Sequence, residues 1–229
     1  MKKIGVISDP HANLEALRTV LEDMPDVDRI ICAGDLVNLG PQPNEVIDLI
    51  QSEDILTVLG NHDNAVIEKD ESSFNEEVAK SLKWTQDKIT KDNLSFLKGL
   101  SKTEKVEENG YEIFIAHGTP RKPLKEYLYP GASNRALMKM TKKVDTDIIV
   151  LGHTHVPLKR TIQSKRILNP GSAGQPRDRD PKAGYSVLEL GDEIKGEQFR
   201  VSYDIEKTKK KIEEFNLPEK LAIRLEFGW

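Results

Sequence analysis

Five short runs of apolar residues alternate with stretches of helical periodicity, and this alternation is the feature that most restricts the fold. Each run is rich in Ile and Val and is followed by a small or polar residue. Continuous apolarity is typical of strands that are covered on both faces. Strands that alternate with helices predict a layered α/β fold. The five runs are 4–7, 29–33, 55–59, 112–116 and 147–151.

Helical and turn signals fill the segments between and after these runs. Pro43 precedes a helical pattern at 44–52, and Asn44 is predicted to be its N-cap. The pair Asn109-Gly110 is a strong hairpin signal. No repeat, low-complexity stretch or linker is present, so a single domain is expected over residues 1–229. The other predictions are helices at 13–22, 76–88, 93–100, 205–215 and 218–227, and antiparallel strands at 158–163, 166–168, 185–190 and 198–203.

Charge and cysteine content exclude several classes of protein. The net charge is −4 and the charges are interspersed, so there is no strong nucleic-acid signature. The single cysteine, Cys32, excludes a disulfide within the chain. The first strand pattern begins too early for a signal peptide, and no apolar stretch approaches membrane-spanning length. These features predict a cytoplasmic enzyme that does not bind a membrane.

All five histidines lie in short segments that follow the apolar runs, and each segment contains a glycine or an acid. The carboxyl ends of strands in open α/β sheets are where ligands bind. An extended backbone would point Asp9 and His11 to one face, and the same spacing applies to His153 and His155. The segments are Asp9-Pro10-His11, Gly34-Asp35, Gly60-Asn61-His62-Asp63, His117-Gly118 and Gly152-His153-Thr154-His155.

The side chains in these segments favour two metal ions over one. Four histidines, two aspartates and one asparagine are too many ligands for one tetrahedral zinc and too rich in nitrogen for calcium or magnesium alone. They suit two divalent transition-metal ions, with Mn preferred and Fe, Ni, Co or Zn as alternatives. Each segment alone has a structural alternative, since a histidine after a strand is more often a hydrogen-bonded structural residue. The five segments together favour the metal site.

The motifs D-x-H, GD, GNH[DE], H and GHxH, in that order, resemble the calcineurin-like metallophosphoesterase superfamily. The resemblance implies an α/β fold, a four-layer α-β-β-α sandwich with two central mixed sheets. It implies that Asp35 bridges the two metals. His62 would protonate the leaving alkoxide or stabilise phosphoryl charge, and Asp63 would accept the other ring proton of His62, with a simple turn role as the alternative. The implied ligands are Asp9, His11 and His155 for the first metal, and Asn61, His117 and His153 for the second.

Two stretches suggest a branch of this superfamily. Leu39 occupies the position at which the related protein phosphatases and diadenosine tetraphosphate hydrolases carry an arginine. The chain instead resembles the small prokaryotic phosphodiesterases, which share the turn Asn169-Pro170-Gly171-Ser172. Arg121 and Arg177 are candidate substrate-binding residues because they follow His117 and this turn.

The resulting prediction is a dinuclear-metal-dependent phosphoesterase that hydrolyses phosphodiesters, including nucleotides, by attack of a metal-bridging hydroxide. One alternative is a phosphomonoesterase or phosphoanhydride hydrolase. Another is a non-catalytic protein-binding scaffold on the same fold. The expected partner is a small phosphoester or nucleotide, and exposed edges of the late strands could pair subunits into a homo-oligomer.

Overall fold

The computed structural model describes residues 1–229 and contains ten strands and eight helices. The strands are β1 (Lys2–Ile7), β2 (Arg29–Cys32), β3 (Leu56–Thr57), β4 (Thr103–Glu108), β5 (Tyr111–Ala116), β6 (Ile148–Val150), β7 (Leu158–Ile162), β8 (Lys165–Asn169), β9 (Ala183–Leu190) and β10 (Ile194–Val201). The helices are α1 (Leu14–Asp23), α2 (Pro43–Ser52), α3 (Asn61–Glu68), α4 (Glu76–Lys88), α5 (Lys91–Gly99), α6 (Asn134–Thr141), α7 (Ile205–Glu214) and α8 (Glu219–Phe227). No helix is both long and apolar enough to cross a membrane.

The strands form two mixed sheets of five strands each. The first has the order β10-β9-β1-β2-β3, in which β1, β2 and β3 are parallel and β9 is antiparallel to its neighbours. The second has the order β4-β5-β6-β8-β7, in which β5, β6 and β8 are parallel. The late strands are therefore only partly antiparallel. The predicted pairing holds for β7 with β8 and for β9 with β10, but β8 runs parallel to β6.

The hydrophobic clusters show how the layers pack. A cluster of 12 buried residues joins the inner faces of the two sheets, with Ile4 and Val6 of β1 against Ile113 and Ile148 of β5 and β6. A second cluster of 20 buried residues packs α1 and α2 on the outer face of the first sheet. A third cluster packs Leu137 of α6 on the second sheet. The predicted four-layer α-β-β-α arrangement is thus confirmed.

The start of α2 differs from the prediction. Gln42 is the N-cap and Pro43 is the first helical residue, so Asn44 lies inside the helix. Pro43 can occupy this position because its missing N–H would have no helical partner there. The Asn44 side chain instead accepts a hydrogen bond from the Thr90 amide at 2.9 Å and donates one to the Lys88 carbonyl at 2.9 Å. It therefore joins α2 to the turn between α4 and α5.

Helices α3 and α6 were not predicted from the sequence. Helix α3 begins with the polar residues Asn61, His62, Asp63 and Asn64, so its apolar periodicity is weak. Its first turn nevertheless carries three of the residues singled out by their motif, Asn61, His62 and Asp63. Helix α3 therefore brings those side chains to the carboxyl ends of the strands.

Candidate metal centre

The predicted metal ligands meet at the carboxyl ends of β1, β2, β5 and β6 and at the start of α3. The backbone there is not extended, contrary to the sequence-based expectation. Asp9 and His11 have φ values of 53° and 46°, and His153 and His155 have values of 70° and 56°. Non-glycine residues rarely have φ values in this left-handed region, and the residues that do are concentrated at functional sites. The two ligand side chains of each motif therefore converge because the backbone between them forms a tight left-handed turn.

One group of side chains surrounds a first candidate metal position. Asp9, His11, Asp35 and His155 offer ligand atoms that all lie within 4.8 Å of one another. The Nε2 atoms of His11 and His155 are 3.1 Å apart, and His155 Nε2 is 3.2 Å from Asp9 Oδ1. His11 Nε2 lies 3.7 Å from Asp35 Oδ2. These atoms enclose one small volume.

A second group shares Asp35 with the first. Asp35, His117 and His153 again offer ligand atoms within 4.8 Å of one another. His117 Nε2 lies 3.0 Å from Asp35 Oδ2, 3.1 Å from His153 Nδ1 and 3.0 Å from Asn61 Oδ1. Asp35 is thus placed between the two groups. This is the position that a bridging carboxylate would take.

The hydrogen bonding of these groups fits a pair of cations. Asp9 Oδ1 and Asp35 Oδ2 are buried and accept no hydrogen bond of good geometry, although His117 Nε2 lies 3.0 Å from Asp35 Oδ2. Leaving buried carboxylate oxygens unpaired is costly unless a cation compensates them. Carbonyl groups hold the outward ring nitrogens of three of the histidines: His117 Nδ1 is 2.8 Å from the Ala33 carbonyl, His11 Nδ1 is 3.2 Å from the Val37 carbonyl, and His155 Nδ1 is 2.5 Å from the Gln175 carbonyl. Such bonds direct each Nε2 lone pair toward a metal.

Burial and the neighbouring charges give these histidines very different pKa values. Burial, with His155 nearby, lowers the pKa of His11 to about 3. Burial and His117 lower the pKa of His153 to about 3 as well. Burial opposes the charge on His117 too, but Asp35 and Asp9 outweigh it and raise the pKa of His117 to about 9. In the metal-free protein at neutral pH, His117 is therefore protonated on both ring nitrogens and positively charged, whereas His11 and His153 are neutral.

His62 lies beside the ligands. Its ring makes an edge-on contact with the His11 ring, with centroids 4.7 Å apart, and packs against Phe74. Its Nδ1 is 2.9 Å from the Asn38 amide nitrogen. The Asn38 Oδ1 accepts from the Leu39 amide, so the Asn38 NH₂ group faces the imidazole and donates to it. This arrangement places the ring proton of neutral His62 on Nε2.

Burial lowers the pKa of His62 well below its ordinary value, with Asp35 acting in the opposite direction. His62 is therefore neutral at physiological pH in the metal-free protein. Sequence reasoning missed Asn38, the residue that fixes the tautomer of this ring. Its only signal in the sequence was an asparagine three residues after Asp35.

Asp63 does not contact His62 in the way the sequence suggested. Its Oδ2 accepts hydrogen bonds from the backbone amides of Asp35 at 2.9 Å and Gly60 at 3.0 Å, and its Oδ1 accepts from the Val37 amide at 3.1 Å. Both carboxylate oxygens are thereby occupied. Burial and the charge of Asp35 raise the pKa of Asp63 to about 7, while the Gly60 and Val37 amides lower it. Asp63 ties the loop after β2 to the start of α3.

The two candidate arginines have different environments. Arg121 forms an ion pair with Glu126, which also accepts a hydrogen bond from Thr119, and Arg121 does not line the cleft beside the metal ligands. The guanidinium of Arg121 is engaged in bracing its own loop. Arg177 does line that cleft, and its Nη2 donates to Gln175 Oε1 at 3.1 Å. Arg121 therefore stabilises its own loop, whereas Arg177 lies beside the metal ligands.

The Asn-Pro-Gly-Ser turn supports the ligand loops. Asn169 donates from Nδ2 to the Gly152 carbonyl at 2.6 Å and to Thr154 Oγ1 at 3.0 Å. Ser172 Oγ donates to the Asp9 carbonyl at 2.7 Å. One turn thus joins the loops that carry the first and last metal-ligand motifs. Its residues position the ligands and do not enter the cleft.

Leu39 is 2% exposed and packs in a cluster with α7 and α8. Its neighbours there include Ile212, Leu221 and Leu225. An arginine at this position would meet an apolar environment. The leucine therefore docks the two C-terminal helices onto the loop after β2.

An aromatic side chain covers one of the ligands. The Tyr127 ring stacks on the His153 ring, with centroids 3.7 Å apart and the planes inclined by 14°. Tyr127 and His153 both line a cleft of about 760 Å³. The metal centre is thus enclosed by protein, and a ligand would reach it through this cleft.

Comparison with known proteins agrees with this geometry. An uncharacterized protein of Methanocaldococcus jannaschii is 37% identical over 98% of both chains. The crystal structure of a metallophosphoesterase from Sphaerobacter thermophilus is 33% identical, covers 100% of this chain and 99% of its own, and superposes with a TM-score of 0.86. A phosphodiesterase of M. jannaschii is 25% identical over 74% of this chain and 82% of its own. The model of the calcineurin-like phosphoesterase superfamily domain matches residues 1–193, and the chain therefore belongs to this superfamily of metal-dependent phosphoester hydrolases.

Proposed function

We propose that this protein is a dinuclear-metal-dependent phosphodiesterase. The observation that carries the proposal is the place of Asp35, whose unpartnered Oδ2 lies between the two groups of candidate ligands. Asp9, His11 and His155 would hold one metal, and Asn61, His117 and His153 the other. Mn is the expected metal, because mixed imidazole and carboxylate ligands suit it when it is supplied. The bound ions would supply an activated water as nucleophile and stabilise charge on the phosphoryl oxygens.

His62 is proposed as the general acid. Its Nε2 carries the ring proton because Nδ1 accepts from Asn38, and the residue lines the cleft. A neutral imidazole with a fixed Nε2–H can donate to the leaving alkoxide, and such proton transfer typically contributes about 10²–10⁴-fold to the rate. Asn38 would be a positioning residue that keeps the proton on the reactive nitrogen.

A diester is favoured over a monoester by charge. A monoester carries two negative charges and benefits from a bidentate arginine beside the metals. Leu39 offers no charge, and Arg121 is engaged with Glu126. Neither position therefore supplies a guanidinium for the second charge of a monoester phosphate. The similarity to a phosphodiesterase of M. jannaschii supports the same choice.

The first experiment is hydrolysis of bis(4-nitrophenyl) phosphate with and without added Mn²⁺. Activity should require the metal and disappear with a chelator. kcat/KM should then be compared for this diester, 4-nitrophenyl phosphate and a dinucleotide polyphosphate. A higher value for the monoester or the polyphosphate would refute the diester assignment. Metal-loaded protein that hydrolyses none of the three would contradict the proposed function.

The role of His62 can be tested by varying the leaving group. His62→Ala should lower kcat by about 100-fold or more for an alkyl or nucleoside diester, whose alkoxide needs a proton. The loss should be much smaller for a 4-nitrophenyl ester, because that leaving group departs without one. Equal losses for the two substrates would exclude a general-acid role.

Asn38→Asp provides a matched test of the positioning role. The carboxylate would accept a proton from His62 Nδ1 and remove it from Nε2, with little change in shape. The carboxylate also raises the pKa of its imidazole partner. Above that pKa, neutral His62 lacks the Nε2 proton, and we expect the same dependence on the leaving group as in His62→Ala. Below that pKa the imidazolium regains the Nε2 proton, so the kcat–pH profile gains a fall in kcat as pH rises. An unchanged profile would show that Asn38 does not act through His62.

A further inference from the structure

The cleft beside the metal ligands continues onto the C-terminal helix. Its lining includes Asn61, His62 and His153 from the metal centre, and Arg224 and Trp229 from α8 and the residues after it. The superfamily domain matches only residues 1–193, so α8 lies beyond that domain. Part of the cleft is therefore built by an element that the shared motifs do not include.

Two arginines in this cleft lack acidic partners. Arg121 and Arg200 pair with Glu126 and Asp178, whereas neither Arg177 nor Arg224 has a carboxylate within ion-pair distance. Arg224 Nε is buried and has no hydrogen-bond partner. A guanidinium has five N–H donors and is seldom left unpaired when it is partly buried. The two side chains have donors to spare for a ligand.

Arg177 and Arg224 line the same cleft, and the charge of Arg224 acts on Arg177. Burial lowers the pKa of Arg177, and the positive charge of Arg224 acts in the same direction, whereas Asp9 acts against it. Arg177 is thus influenced by the metal ligands and by Arg224. Lys125 adds a further positive charge to the lining, and Asp70 is the one acidic residue outside the metal centre that lines this cleft. Two arginines that line one cleft and have no ion-pair partner indicate a site for an anion.

The packing of α8 explains how Arg224 reaches the cleft. Leu221 and Leu225, which flank Arg224 in the sequence, are buried against Leu39 and Val78. Their burial fixes the rotation of α8 about its axis, and Arg224 lies on the side that borders the cleft. The same packing joins α8 to the loop after β2, which carries Asp35. The distance from Arg224 to the metal centre is therefore set by a packed core.

We propose that Arg224 and Arg177 form a subsite that binds a second phosphate group of the substrate, distinct from the phosphate at the metal centre. The substrate class is then a phosphoester that carries an additional phosphate elsewhere in the molecule. Arginine pairs bind phosphate through several charge-assisted hydrogen bonds, which a neutral substituent cannot replace. The proposal depends on the proposed function only for the position of the scissile phosphate.

The test is calorimetric binding of α,ω-alkylene bisphosphonates of increasing length, each compared with the monophosphonate of the same chain length. These probes contain C–P bonds and cannot be hydrolysed, and Mn²⁺ is kept in excess. At the optimal length, the bisphosphonate should bind the wild-type protein at least about tenfold more tightly than the monophosphonate. If no length gave an advantage, the subsite would be refuted.

Variants of α8 identify the residue responsible. Arg224→Gln should reduce the bisphosphonate advantage to less than about threefold, and Arg224→Lys should give an intermediate value because it keeps the charge but loses the fork. Lys220→Gln is the matched control: it removes one charge a turn earlier on the same helix, where Lys220 pairs with Glu77, and it should keep the full advantage. An advantage that survives in both Arg224 variants, or that is lost in Lys220→Gln, would overturn the assignment.

The same experiment separates this proposal from the proposed function. Metal-loaded protein that hydrolyses no ester would refute the phosphodiesterase. The ratio of bisphosphonate to monophosphonate affinity would still report on Arg224, since binding and not turnover is measured. Conversely, an active diesterase with no preference for bisphosphonates would refute the subsite alone.

Discussion

Asp63→Asn is predicted to weaken the folded protein through the backbone and not through His62. The carboxylate of Asp63 accepts hydrogen bonds from three buried amides, those of Asp35, Val37 and Gly60. Asparagine has one acceptor oxygen. In its best orientation it keeps the bonds from Asp35 and Gly60 and turns its NH₂ group toward the Val37 N–H. One buried donor then loses its partner, and the other two bonds lose their charge assistance.

The magnitude follows from these three bonds. An unsatisfied buried donor costs about 1–3 kcal/mol, and a bond to a charged acceptor is stronger than a neutral one by roughly 1 kcal/mol. Removal of a buried charge and of its repulsion with Asp35, which together raise the pKa of Asp63, offsets part of this loss. We expect the free energy of unfolding to fall by about 2 kcal/mol, and Tm by about 4–8 °C for a chain of this size.

The assay is urea unfolding of the metal-free protein at pH 8, above the pKa of about 7 that burial and Asp35 give Asp63. Asp70→Asn is the control, because Asp70 is exposed and its hydrogen bonds come from Ser72, two residues away. Its effect should stay within about 0.5 kcal/mol. If Asp63→Asn changed stability no more than the control but lowered kcat, the hydrogen-bond argument would be refuted and a direct action on His62 would be favoured.

Three further predictions concern the metal centre. Metal binding at pH 7 should release about one proton, because His117 has a pKa of about 9 without metal and must lose its extra proton to bind the ion. Calorimetry in buffers of different ionisation enthalpy measures the number of protons released, and a value of zero would contradict the prediction. The metal-free protein should lose stability as pH falls from 6.5 toward 3. Burial lowers the folded-state pKa of His11 and His153 to about 3, and that of His62 and His155 well below its ordinary value, so the unfolded chain binds more protons in that range. The raised pKa values of Asp63 and Asp9 act in the opposite direction but involve two groups against four; a flat denaturation midpoint would disagree. Gly152→Ala should weaken metal binding by at least about tenfold in metal titrations, a loss typical of changes beside metal ligands. The added Cβ would lie 2.0 Å from Ser8 Oγ, which donates a hydrogen bond to Asp9. Unchanged affinity would show that the loop adapts without displacing Asp9.

The sequence by itself determined the layered fold and the identity of the metal-ligand candidates. Runs such as 4–7 and 147–151 predict buried strands because β-branched side chains suit a covered sheet, and their carboxyl ends share one edge. The motifs around Asp35 and His117 then predicted which side chains would meet. Both inferences rest on local patterns that the chain order preserves.

Tertiary structure alone decided the partners of the polar side chains. Asp63 bonds to amides up to 28 residues away, and Asn38 reaches His62 across 24 residues. Local patterns carry no information on such pairs, since hydrogen-bond partners depend on how loops pack. The left-handed backbone at Asp9 and the approach of Arg224 to the cleft have the same cause: both are imposed by contacts between distant segments, which no window of sequence contains.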